Sequence, residues 1–208
     1  MRVDFYHLDD DGFAAWLKRI QIGDDRHAAE PWAFTAEDRG RLEAAVAAWD
    51  EILGRIPLLE ARRGEARQTR DEAAVDFRAA VRSARAWAKG VFPAGDERPG
   101  EYGLGRMPLR NLNKMLTFGH AVIQANTQEP PLEPTLPERL LTQVQVTFAA
   151  LDASIMAYQA AVVDRKHATH ARRELRKEIE ALVRYLRQHL YTYIAPGDPI
   201  LLDYAFVQ

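Results

Sequence analysis

Residues 138–195 contain neither glycine nor proline, and along them apolar side chains return every three or four positions. That pattern leaves one economical way to bond the backbone and bury a face, the amphipathic α-helix. Leu140, Val144, Phe148, Leu151, Ile155, Tyr158 and Val162 make one stripe, and Leu175, Ile179, Leu182, Leu186, Leu190 and Tyr193 make a second. Between them, residues 164–177 (DRKHATHARRELRK) are polar and out of register. The first half of the chain has the same plan. Leu42, Val46, Trp49, Leu53 and Ile56 precede a polar run, EARRGEARQTRDE, after which Ala73, Phe77, Ala80, Val81, Ala84 and Val91 resume the spacing.

Glycine and proline gather instead in residues 93–108 and 130–137, where they end one helical stretch and precede the next. Thr35 with Asp38, and Thr135 with Glu138, have the spacing of a capping box, which predicts helix starts there. Sliding the sequence on itself by 102 positions aligns Ala47, Ala48 and Asp50 with Ala149, Ala150 and Asp152, and Val81, Arg82 and Arg85 with Val183, Arg184 and Arg187. Past the helices the same offset brings Gly95-Asp96 onto Gly197-Asp198 and Glu101-Tyr102 onto Asp203-Tyr204. These coincidences predict an internal duplication.

If the two polar runs are turns, each half is a helical hairpin, and the expected fold is all-α: an antiparallel up-down-up-down four-helix bundle from a duplicated hairpin. The single domain then divides into a short helix and loop at 1–34, a first hairpin and tail at 35–104, a connector with its own helix at 105–136, and a second hairpin and tail at 137–206. The connector helix is expected over residues 109–126, with Gly119 weakening it. The alternative keeps each half as one helix of about 56 residues, about 84 Å long, which would call for a long-helix dimer. Pro57 and Gly64 speak against it in the first half, but nothing comparable does in the second.

Composition bounds the function. With 28 Lys+Arg against 30 Asp+Glu, a formal charge of -2 and no cysteine, the chain has no global field for a polyanion and no thiol, disulfide or cysteine-metal chemistry. No signal peptide is read at the start and no transmembrane segment is expected, so the expected localisation is cytoplasmic.

His167 and His170 share a helix face at i, i+3 and are the one local pair that resembles metal ligands. Two ligands are too few, and the Glu-x-x-His of bundle di-iron centres occurs nowhere in the chain, so no cofactor is expected. Arg165, Lys166, Arg172, Arg173 and Arg176 stand in a run whose cations exceed its acids, a candidate anion-binding tip shared with the turn at 60–72. Gly95 and Gly197 suit left-handed positions after helices, and Tyr102 and Tyr204 are expected to fold back with buried rings and exposed hydroxyls.

The segments Phe34-Thr35, Ala47-Ala48-Trp49-Asp50, 66–70, 79–85, Pro93 and Gly103-Leu104 resemble a loose group of uncharacterised bacterial alanine- and arginine-rich helical proteins. The resemblance covers about residues 34–110. It implies a helical bundle and carries no activity. With no nucleophile, acid-base pair or phosphate loop in motif context, the expected function is a non-enzymatic structural or protein-interaction module, with a protein partner or self-association expected. A ligand- or metal-binding bundle using His167, His170 or buried tyrosines is the alternative, and anion binding (nucleic acid or phospholipid) through the basic tip is a further one; nucleic acid is the less favoured partner.

Overall fold

The computed structural model describes residues 8–93, 95–104, 111–129 and 132–206. Every regular element among them is a helix: α1 (Asp10–Arg26), α2 (Ala36–Val91), α3 (Arg98–Glu101), α4 (Leu112–Thr127), α5 (Glu138–Tyr191) and α6 (Ile200–Asp203).

The expected hairpins are not formed. α2 runs unbroken for 56 residues through 60–72, and α5 runs unbroken for 54 residues through 164–177. The four-helix bundle of duplicated hairpins is thereby corrected to two long helices with shorter ones beside them. The physical reason lies in the residues of the polar runs. Ala, Arg, Glu, Gln and Lys are strong helix formers, and loss of the apolar stripe removes burial without supplying a turn. Local pairs reinforce the helix, including Gln68 to Glu72 at 2.8 Å and Lys177 to Glu174 at 2.8 Å. Pro57 and Gly64 are both exposed, where neither ring nor missing side chain disturbs a core.

The chain forms two compact units: the first comprises 1–60 and 164–208, the second 61–163. In the first, Phe13, Trp16, Leu17 and Ile20 of α1 pack with Leu42 and Trp49 of α2, with Ile179, Leu182, Leu186 and Leu190 of α5, and with Leu201 and Tyr204 around α6. Glu60 meets Arg165 while Arg41 lies over Tyr185, so the α2 and α5 segments are antiparallel. In the second unit, Phe77, Val81, Ala84 and Ala88 of α2 pack with Met115 and Val122 of α4 and with Val144, Phe148, Leu151 and Ile155 of α5. Arg70 over Tyr158 and Phe77 against Phe148 give the same antiparallel sense. A single chain therefore buries its long helices against each other, which the alternative reading assigned to a dimer.

Starts of elements recur at a constant separation of 102 residues: Asp10 and Leu112, Ala36 and Glu138, Arg98 and Ile200. Local bonds recur with them. Asp9 caps α1 by accepting from Gly12 N–H, and Asn111 caps α4 by accepting from Lys114 N–H. Asp96 accepts from Arg98 N–H and Asp198 from Ile200 N–H, each at 2.9 Å. Gly95 and Gly197 adopt φ of +90° and +96°, as their place after a long helix requires. Thr35 caps α2 by accepting from Asp38 N–H at 3.1 Å. Thr135 does not cap α5, whose first helical residue is Glu138.

Candidate functional site

The basic run lies on α5 in the first unit, on continuous helix, and the polar run of α2 from residue 61 onward lies in the second unit. No shared tip of two turns exists. Arg165 donates from Nε and Nη2 to Glu60 at 2.9 and 2.7 Å. Arg172 is bonded to Asp10 at the start of α1. Arg176 donates to Glu180 at 3.1 Å and to the Leu8 carbonyl at 2.9 Å, with its guanidinium 4.6 Å from the Phe13 ring centre. These three cations hold α1 and α2 against α5. Lys166 and Arg173 are exposed. His167 and His170 are both exposed, and among the described residues no three His, Cys, Asp or Glu side chains converge to hold a metal ion. Asp10 and Glu60, the partners of Arg172 and Arg165, sit 162 and 105 residues away from them in sequence, with no local signal to reveal them.

A polar cluster that the sequence reading missed joins α1, its following loop and α6. Asp24, buried on α1, accepts from Phe34 N–H at 2.7 Å and pairs with Arg39, so the loop is folded back onto the helix. Asp203 meets His27 at 3.0 Å and Arg26 at 3.2 Å. Those two partners, His27 first, hold the Asp203 carboxyl below the usual aspartate range. Gly23 is required here, because a Cβ would come within 2.7 Å of the Asp203 carbonyl. Both tail tyrosines are enclosed, Tyr102 at 1% and Tyr204 at 0% exposure. Their hydroxyls are not at the surface as expected. Tyr102 donates to the Pro134 carbonyl at 2.6 Å, whereas the Tyr204 hydroxyl is buried with no hydrogen-bond partner among the described residues. Burial raises the pKa of both phenols above the ordinary tyrosine value.

A departure from a sealed helical core lies on the outer face of α5 in the second unit. While Val144, Phe148, Leu151 and Ile155 point into the core, Val146, Ala149, Ala153, Met156, Ala160 and Val163 are all exposed. Their spacing is 3, 4, 3, 4, 3, the a/d repeat of a coiled-coil seam. Val146 and Met156 are 63% and 64% exposed, far beyond a rim position. From Leu140 to Val163 the one charged residue is Asp152. By length and composition alone α5 could cross a membrane, whereas no transmembrane segment was expected from the sequence. The same window, however, supplies Phe148 to a contact with Phe77 and closes over Gly119 of α4, so its inner face is already occupied by protein.

No protein family, no curated protein and no solved structure matches this chain.

Proposed function

We propose that this chain is a non-enzymatic helical interaction module that associates with a second copy of itself through the outer face of α5. The carrying observation is the exposed 3-4 seam from Val146 to Val163. The seam is a palindrome. In an antiparallel pair centred between Ala153 and Met156, Val146 faces Val163, Ala149 faces Ala160 and Ala153 faces Met156. Such self-complementarity is what a two-fold contact between identical chains needs. Asp152 falls opposite Ala157, so like charges do not meet, and the alanines let two helix axes approach closely. Eighteen residues give a seam of about 27 Å, at the small end of specific interfaces, which points to a reversible dimer of roughly micromolar affinity.

The constant 102-residue separation of elements, caps and glycine turns supports a second part of the reading, that the chain arose by internal duplication. The recurring set includes α1 and α4, which the sequence alone had placed outside the repeat. Only the second copy of the long helix carries the apolar seam over this stretch, since Glu51 and Gly54 stand where the first has counterparts of Ala153 and Met156.

Sedimentation velocity from about 1 to 500 µM tests the association, with Ala153→Glu and Met156→Glu as variants that place carboxylates at the centre of the pair. The expected result is a concentration-dependent dimer that both variants abolish while helical circular dichroism is retained. A monomer throughout, a dimer indifferent to the two substitutions, or partition of the protein into phosphatidylcholine vesicles through the same face would overturn the reading.

A further inference from the structure

A cleft of about 750 Å³ opens in the second unit where the end of α2 meets α3, and its lining divides cleanly by chemistry. Ala88, Phe92, Pro93, Pro99 and Leu104 give it an apolar floor, and Arg82, Arg85 and Lys89, on successive turns of α2, stand along one wall. Its volume is in the range of small-molecule sites. Asp96, the lining carboxylate, is already taken: Arg98 donates to it from Nε at 2.9 Å and lies over the Phe92 ring at 4.8 Å. Among the described residues neither Arg82 nor Lys89 has an ion-pair partner. Arg85, which also lines the cleft, is anchored by its Nε to the Leu104 carbonyl at 3.1 Å, with its guanidinium 5.8 Å from the Phe118 ring centre. The carbonyls that end α2 carry a partial negative charge of about half a unit, well short of three cations.

The stretch 102 residues further on provides an internal comparison, because other residues stand there at several of these positions. Leu190 and Ile194 stand for Ala88 and Phe92, and Gln188 for Ala86. Tyr191 replaces Lys89, and its hydroxyl takes the Arg187 Nε at 2.9 Å. Two of the three cations are kept there as Arg184 and Arg187, so what sets the cleft apart is Ala88, Lys89 and Phe92 in place of Leu190, Tyr191 and Ile194.

We infer that this cleft binds a small amphiphilic monoanion, a carboxylate carrying an apolar tail. The carboxylate sits against Arg82, Arg85 and Lys89, and the tail covers Phe92, Leu104 and the prolines. A polyanion such as phosphate would leave the apolar floor uncovered, and an uncharged alcohol would leave the cations unused. This inference is independent of self-association, since no seam residue lines the cleft.

Isothermal titration of the full chain with decanoate, 1-decanol and inorganic phosphate tests it. Decanoate is expected to bind saturably at one site, at about 0.1 mM or tighter, with the other two at least about tenfold weaker. Arg82→Gln combined with Lys89→Gln, both exposed side chains, is expected to weaken decanoate about tenfold or more. Ala88→Leu, which introduces the residue found 102 positions on, is expected to remove binding by filling the floor. Non-saturating uptake, equal binding of decanol, or a decanoate affinity unmoved by the double glutamine variant would each overturn the assignment. The glutamine variant decides the matter even if Ala88→Leu fails to fold.

Discussion

Tyr102 and Tyr204 stand 102 residues apart and differ in whether the buried hydroxyl finds a partner. Each ring is enclosed, each follows a one-turn helix, and each stands at the same place in its unit. Tyr102→Phe removes a bond to the Pro134 carbonyl, worth about 1 kcal/mol net; Pro134 is exposed, so water can take over the carbonyl and the loss should not grow much beyond that. Tyr204→Phe removes a hydroxyl that has no partner among the described residues, so its removal relieves desolvation and should be neutral or stabilising by up to about 1 kcal/mol. The two variants should thus differ by about 1–2 kcal/mol, a factor of roughly 5 to 30 in the folding constant. Urea unfolding by circular dichroism, with amide exchange to follow each unit separately, measures both. The phenols add a pH signature. Their raised pKa values mean that ionisation costs the fold nothing below about pH 10, where an unfolded tyrosine titrates, and that stability falls as pH climbs from there towards the folded values. Tyr204→Phe should therefore flatten the alkaline limb. A Tyr204→Phe cost equal to that of Tyr102→Phe would refute the reasoning.

Four further outcomes are expected. Pro57→Ala should stabilise the protein by about 1–3 kcal/mol in urea unfolding, since it restores a helix-interior bond within continuous α2; a neutral result would speak for a break there. Asp24→Ala should cost about 2–3 kcal/mol, below the full value for a buried pair because Arg39 keeps some water contact, and should raise amide exchange in the 27–35 loop. Gly119→Ala should destabilise by about 1–3 kcal/mol, because its Cβ would fall 2.3 Å from the Phe148 ring. The depressed Asp203 carboxyl contributes stability that is present above the ordinary aspartate range and fades as pH falls through its folded value, so Asp203→Asn should shallow the acid limb of a pH-denaturation curve.

Much of the helical content was legible because it is written locally. The glycine- and proline-free run at 138–195, the Thr35-Asp38 cap and the left-handed Gly95 and Gly197 all act over a few residues, and each stands where its chemistry put it. The path of the chain was not local. At 164–177 the apolar stripe lapses because α5 passes from the core of one unit to that of the other, and a lapse in burial was mistaken for a bend although no residue there breaks a helix. Arg165 and Arg172 looked like free cations for the same reason, their carboxylates being supplied by Glu60 and Asp10 from distant sequence. The α5 seam was present in the letters as a second 3-4 series interleaved with the first. Half of its members are alanine, and the larger residues of the inner stripe masked it.

The division of α2 and α5 between two units has a consequence for synthesis on the ribosome. Residues 61–163 are contiguous, so the second unit can close as soon as that stretch has emerged. The first unit brackets it: its opening sixty residues have no complete core until the final segment, from residue 164 onward, arrives. At about 5–20 residues per second, reaching the core partners between Ile179 and Phe206 takes roughly 6 to 30 seconds, during which Phe13, Leu17 and Trp49 lack them. A nascent chain stalled anywhere before the end of α5 therefore holds a finished middle and an unfinished beginning, and that beginning is where a holding chaperone would be needed.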